Sequence, residues 1–169
     1  MILDIKSCVL CPFYKNMPLG PCISEHYGDV YCILPAVSDA SKLADEIVTG
    51  FDKKILRKLI PEERWYLSSI FRCSSCNKQA EASKYIQTCT TWISKEVEVV
   101  KPTRVITFGL SPYRFAKGRK SSFSAEMFTV QKSTILGEFL CLPALYQLSN
   151  STQSFNASLE AIRGYIGIS

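Results

Sequence analysis

The chain has 169 residues, of which 47% are hydrophobic and 21% charged, with a formal net charge of +5 and eight cysteines. That length and balance suit one compact domain, residues 1–169, with a full core, and no apolar run reaches the roughly eighteen residues of a membrane span. The opening Met1-Ile2-Leu3-Asp4-Ile5-Lys6 lacks the basic and long apolar regions of a secretory signal, so a cytoplasmic protein with reduced thiols is expected, in which cysteines point to metal rather than to disulfides.

Residues 8–28, rich in Cys, Pro and Gly, read as an irregular loop. Val30–Leu34 is a short apolar run of the kind that forms a buried parallel strand, ended by Pro35. Residues 41–49 and, more strongly, 51–59 repeat apolar positions at helical spacing, the second through Phe51, Ile55, Leu56 and Leu59. Pro61-Glu62-Glu63 predicts a turn or short helix start, and residues 65–71 a second strand. One long helix is expected over Gln79–Val100, with Ala82, Ile86, Cys89, Ile93 and Val97 on one stripe, stopped by Pro102. Arg104–Phe108 reads as a third buried strand closed by Gly109, and Ser111-Pro112 as the cap and first turn of a helix to Lys117. Residues 129–130 and 139–142 are further strand candidates, and 159–166 a closing helix. Strands alternating with helices predict an α/β three-layer sandwich with a central, mostly parallel sheet.

Cys8-x-x-Cys11 can hold two corners of a metal site from one tight turn, while Cys73 ends a predicted strand and Cys89 projects from the helix that follows. Thiolates suit an iron–sulfur cluster. Two other arrangements stay open on the residues alone: zinc held by Cys8-x-x-Cys11 with Cys73-x-x-Cys76, and cysteines that are simply core. Cys32 and Cys141 fall in apolar strands and read as core; Cys22 has no assigned role.

The order Cys8-x-x-Cys11, then Tyr66-Leu67-Ser68-Ser69-Ile70-Phe71-Arg72-Cys73, then Cys89, then Lys101-Pro102 and a strand ending in Gly109 resembles the iron–sulfur branch of the uracil-DNA glycosylase superfamily, in a strongly diverged, family 4-like form. The resemblance spans nearly the whole chain, mostly in pattern. It implies a uracil-DNA glycosylase-like fold and a structural [4Fe–4S] cluster on Cys8, Cys11, Cys73 and Cys89, tying the N-terminal loop to sheet and helix. It also shows which catalytic groups are missing. Where the family has Gly-Glu-Ala-Pro-Gly after its first strand, this chain has Leu34-Pro35-Ala36-Val37-Ser38-Asp39, with Asp39 out of register. The family's stacking aromatic is absent from Glu46-Ile47-Val48-Thr49-Gly50. Ser69 replaces the base-reading Asn, and a hydroxyl lacks the paired donor and acceptor of an amide. Gln147, in Tyr146-Gln147-Leu148-Ser149, replaces the His of the family's His-Pro-Ser loop, and the sole histidine, His26, sits in the N-terminal loop. Each such group is worth orders of magnitude in rate, so base excision by that route is not expected. No triad pattern and no phosphate-cradling glycine loop offers another chemistry.

For nucleic acid, Arg114, Lys117, Arg119 and Lys120 cluster near Tyr113, Phe115 and Phe123, where basic groups can neutralise phosphate and rings can stack on bases; the plain alternative is a solvated helix end with its rings buried. The segment 147–154, with Gln147, Ser149 and Asn150, occupies the place of the family's DNA-inserting loop. Lys53, Lys54, Arg57 and Lys58 read as a solvated helix face. The expectation is a non-catalytic module that binds DNA or RNA, a polymerase accessory or other replication, repair or transcription factor. One viral member of the superfamily doubles as a polymerase processivity component, and the loss of motifs and short length suit a fast-evolving viral or mobile-element protein, if viral, acting in an infected host cell. The competing expectations are a divergent glycosylase for a damaged base, using Asp39 or Gln147, and a protein-binding regulator of a host polymerase.

Overall fold

A computed structural model describes residues 28–35, 50–70, 79–118 and 121–167. Five strands form one sheet: β1 (Val30–Leu34), β2 (Trp65–Ser69), β3 (Arg104–Phe108), β4 (Val130–Ser133) and β5 (Gly137–Leu142). The helices are α1 (Gly50–Leu59), α2 (Gln79–Val100), α3 (Leu110–Lys117), α4 (Phe123–Glu126), α5 (Leu145–Ser149) and α6 (Thr152–Ile166), with one 3₁₀ turn at Glu62–Arg64. The strand order is β2-β1-β3-β5-β4, parallel throughout except for the β4–β5 hairpin.

Both faces of the sheet are covered, which is why β1 is buried at every position and apolar at every position. Side chains alternate between the faces. Val30, Cys32 and Leu34, with Trp65, Leu67, Ile106 and Phe108, pack against α1, α5 and α6. Tyr31 and Ile33, with Tyr66, Val105, Phe139 and Cys141, pack against α2 and α3. The chain is thus an α/β sandwich of three layers. Among the described residues no helix is long and apolar enough to cross a membrane.

The bounds of β1, α2 and β3 are those the sequence predicts, and β2 stops two residues before the expected end. α3 differs. Its cap is Gly109, so Ser111 and Pro112 lie inside the first turn, where proline's missing N–H costs no intrahelical bond. α6 begins at Thr152, seven residues before the expected start, because Ser151 Oγ accepts the Ser154 N–H at 3.2 Å and so caps an earlier turn. The helix expected over 41–49 lies outside the described residues.

Asp29 joins three elements at the amino edge of the sheet. Its carboxylate accepts from Arg64 Nε at 3.0 Å, Arg64 Nη2 at 2.6 Å and Thr103 Oγ1 at 3.2 Å. Its carbonyl accepts the Thr103 and Arg104 N–H groups at 3.0 and 3.2 Å. The hydrogen bonds from Arg64, and then its charge, hold the Asp29 carboxyl below its ordinary value of 3.8. A depressed folded-state pKa means stability that is present above the unfolded value and is lost as pH falls through the folded one. Asp29→Asn should therefore flatten the acid limb of a urea-midpoint-versus-pH curve. The pair is partly exposed, so the loss near neutral pH should be about 1 kcal/mol; an unchanged acid limb would rule this linkage out.

Candidate nucleic-acid interface and metal-binding residues

In a parallel sheet of this order the chain leaves β1 toward one side and β3 toward the other, which makes the carboxyl ends of these strands a topological switch point, where open α/β sheets commonly place ligands. Gly109 ends β3 with φ of 91°, a conformation that favours glycine. A Cβ on Gly109 would stand 3.2 Å from Ala144 Cβ, and the Gly109 N–H donates to the Leu142 carbonyl at 2.8 Å. The starts of α3 and α5 therefore emerge side by side at this edge.

Two of the positions that the resemblance marks as substituted come to this edge and serve the backbone. Ser69 is 1% exposed, and its hydroxyl donates to the Pro35 carbonyl at 3.4 Å. Beside it the Ile70 N–H donates to the Leu34 carbonyl at 3.1 Å. Gln147 Oε1 accepts the Ala144 N–H at 3.1 Å across the first turn of α5, satisfying a donor that a helix start leaves unpaired. The loop expected over 147–154 is instead the end of α5, a two-residue turn and the first turn of α6. Ser149 Oγ donates to the Tyr146 carbonyl at 2.7 Å, while Asn150 is exposed at the end of α5. Polar residues misread as loop are here hydrogen-bonding their own turns, as Ser and Asn do at helix ends.

The basic segment divides in the same way. Arg114 is exposed on α3. Lys117 is half-buried, and its Nζ donates to Gln131 Oε1 at 2.8 Å with Glu126 Oε2 at 3.8 Å. Tyr113 is buried and donates to Glu126 Oε2 at 2.8 Å, and burial followed by that bond pushes its phenol up to about 12. Phe123 packs on the Tyr113 ring with centroids 5.2 Å apart, and Phe115 packs on the same core. These three rings are packing groups. Arg119 and Lys120 lie outside the described residues. On α1, Arg57 grips Glu62 through two bonds of 2.8 and 2.9 Å, while Lys54 and Lys58 are exposed. α5 packs between α1 and α6, a proximity that the isolated helical pattern of α1 did not reveal.

Of the four cysteines matching the resemblance, Cys89 is described. It is 5% exposed on α2 and shares an apolar cluster with Tyr66, Ile70 and Ile93. α2 runs back against the strand direction, as a crossover between parallel strands must, and Cys89 stands two turns, about 10 Å, ahead of Glu96. Glu96 meets Ser68 of β2, so Cys89 lies beyond Ser68, at the carboxyl end of β2. Ile70 precedes Cys73 by three residues, a reach of roughly 10 Å. Cys8, Cys11, Cys22, Cys73 and Cys76, like His26 and Asp39, are outside the described residues, and no metal-holding group of three or more His, Cys, Asp or Glu occurs among the described ones. Cys32 and Cys141 are buried in strands, as expected of core cysteines. Burial raises both thiols, that of Cys141 to about 12, so neither is a thiolate nucleophile.

One buried group escaped the sequence reading. Glu96, 1% exposed, faces the sheet and accepts from Tyr31 Oη at 2.6 Å and Ser68 Oγ at 2.8 Å. Its signal was a carboxylate three residues after Ile93 on an otherwise apolar stripe.

Fold and site define an α/β three-layer protein whose carboxyl edge is built from backbone-bonded Ser69 and Gln147. A scan against protein-family models and a search of curated proteins found nothing that matches this chain.

Proposed function

We propose that this chain is a non-catalytic nucleic-acid-binding module on a uracil-DNA glycosylase-like scaffold, an accessory to replication, repair or transcription. The observation that carries the reading is the commitment of Ser69 and Gln147 to the backbone. They stand where the resemblance puts the base reader and the electrophile, and each holds a strand end or helix start instead. The net charge of +5 and the exposed Lys54 and Arg114 support a polyanionic partner.

The test pairs two measurements on one preparation. Single- and double-stranded oligonucleotides should be retained at low salt and released steeply as salt rises. Uracil-containing versions should survive long incubation and alkali without strand cleavage. Cleavage that disappears in Asp39→Ala would replace this reading with a divergent glycosylase; absence of any retention would favour a role confined to protein partners.

A structural [4Fe–4S] cluster on Cys8, Cys11, Cys73 and Cys89 belongs to the same proposal, supported by the placement of Cys89 at the carboxyl end of β2. Its chemistry would be structural, joining segments distant in sequence. Protein purified without air should be brown, with about four irons per chain. Cys89→Ser should lose colour and solubility while Cys76→Ser keeps both. Bound zinc with the opposite pattern would sink the assignment in favour of Cys8, Cys11, Cys73 and Cys76.

A further inference from the structure

Tyr146 is the second residue of α5 and is 60% exposed. Leu110, the first residue of α3, is 41% exposed. Each lies within one turn of the Gly109–Ala144 contact, so a large ring and a large aliphatic side chain stand in solvent at one edge. Surface apolar groups scattered singly need no explanation; these two begin helices on opposite faces of the sheet and flank its carboxyl edge.

Charge around this edge is uneven. Among the described residues the cations Arg57, Arg64 and Lys117 are paired with acidic groups, and Arg104 is held by the Tyr165 carbonyl. Arg114 and Lys54 are exposed with no such partner among the described residues. Arg114 follows Leu110 by four residues, which puts both on one face of α3. α1 runs against the strand direction and packs beside α5, so Lys54, in its first half, lies toward the same carboxyl edge. Neither α3 nor α5 contains an acidic residue.

We infer that this edge binds single-stranded nucleic acid, with one unpaired base stacked on Tyr146 and the flanking phosphates on Lys54 and Arg114. The inference rests on the nucleic-acid reading above and names the ligand class and the contact residue. An exposed ring flanked by cations matches a base flanked by phosphates, and stacking tolerates any base because every base has a π-face. A duplex hides those faces, so single strands are preferred.

The test is fluorescence anisotropy with labelled oligothymidylate and with an abasic oligonucleotide of equal length, over a range of salt. Tyr146→Ala should weaken oligothymidylate binding about 5- to 150-fold, leave its salt slope unchanged and leave abasic binding unchanged. Tyr146→Phe should bind like wild type. Lys54→Ala with Arg114→Ala should weaken both ligands and flatten the slope by roughly 1.4. Thermal unfolding should be unmoved by Tyr146→Ala, since the ring is largely in solvent. Wild-type affinity for oligothymidylate in Tyr146→Ala, or an equal loss on both ligands, overturns the stacking inference while the nucleic-acid reading stands. Wild-type protein that binds neither ligand overturns the nucleic-acid reading itself.

Discussion

Gly28→Ala should cost about 3 kcal/mol or more of stability, at the upper end of what overpacking does. Gly28 is buried, and a Cβ there would overlap the Arg64 carbonyl and the Trp65 amide nitrogen. Those are backbone atoms at the start of β2, so no side chain can swing aside. Relief requires moving the entry to β1 away from β2, and that motion also strains the Asp29–Arg64 contact beside it. The check is a urea denaturation series, in which the midpoint should fall sharply. A Gly28→Ala protein with a wild-type midpoint would show that the two backbones separate here at little cost.

Glu96→Ala should be of similar size, about 3–5 kcal/mol, for a different reason. The substitution deletes the shared acceptor of two buried hydroxyls, Tyr31 and Ser68, and leaves a cavity between α2 and the sheet. Loss of buried hydrogen-bond partners and loss of packing add. Glu96→Gln keeps an acceptor oxygen and nearly the same volume, so it should retain most of the stability. Equal losses in Ala and Gln variants would mean that the carboxylate's charge, rather than the hydrogen bonds, matters to the fold. Urea midpoints of the two variants separate these outcomes.

How much of this was legible in the sequence depended on burial. β1, α2 and β3 could be read to the residue because a doubly covered parallel sheet demands continuous apolar strands, and Pro35, Pro102 and Gly109 punctuate them. β4 was harder to see. It is the outer strand of a hairpin, so Lys132 and Ser133 continue it without any apolar signal. The start of α6 was hidden because Thr152, Gln153 and Ser154 are polar, and a polar first turn looks like loop until its Ser151 cap is recognised. At the candidate site, the basic cluster pointed to Arg114 and Lys117, and the resemblance to Gln147. The cluster did not distinguish an exposed Arg114 from a Lys117 already held by Gln131 and Glu126. Nor did it single out Tyr146, because the exposure of one tyrosine is a property of the assembled edge. The proximity of α1 to α5 is likewise tertiary, and without it the lysines of α1 look like any solvated face.

The central place of β1 also dictates when the sheet can be finished. β1 is the earliest described strand, and it pairs on both sides, with β2 and with β3. Asp29, just before it, bonds to Arg64 at a separation of 35 residues and to Thr103 at 74. A ribosome adding 5–20 residues per second leaves β1 waiting roughly 4–15 s for its second neighbour. Through that interval Val-Tyr-Cys-Ile-Leu, without a single charge, keeps at least one open edge, which the chain cannot yet cover. Closing such long loops slows folding, and bare apolar edges invite pairing between chains. The same strand that anchors the finished sheet is thus the nascent chain's most exposed aggregation hazard among the described strands.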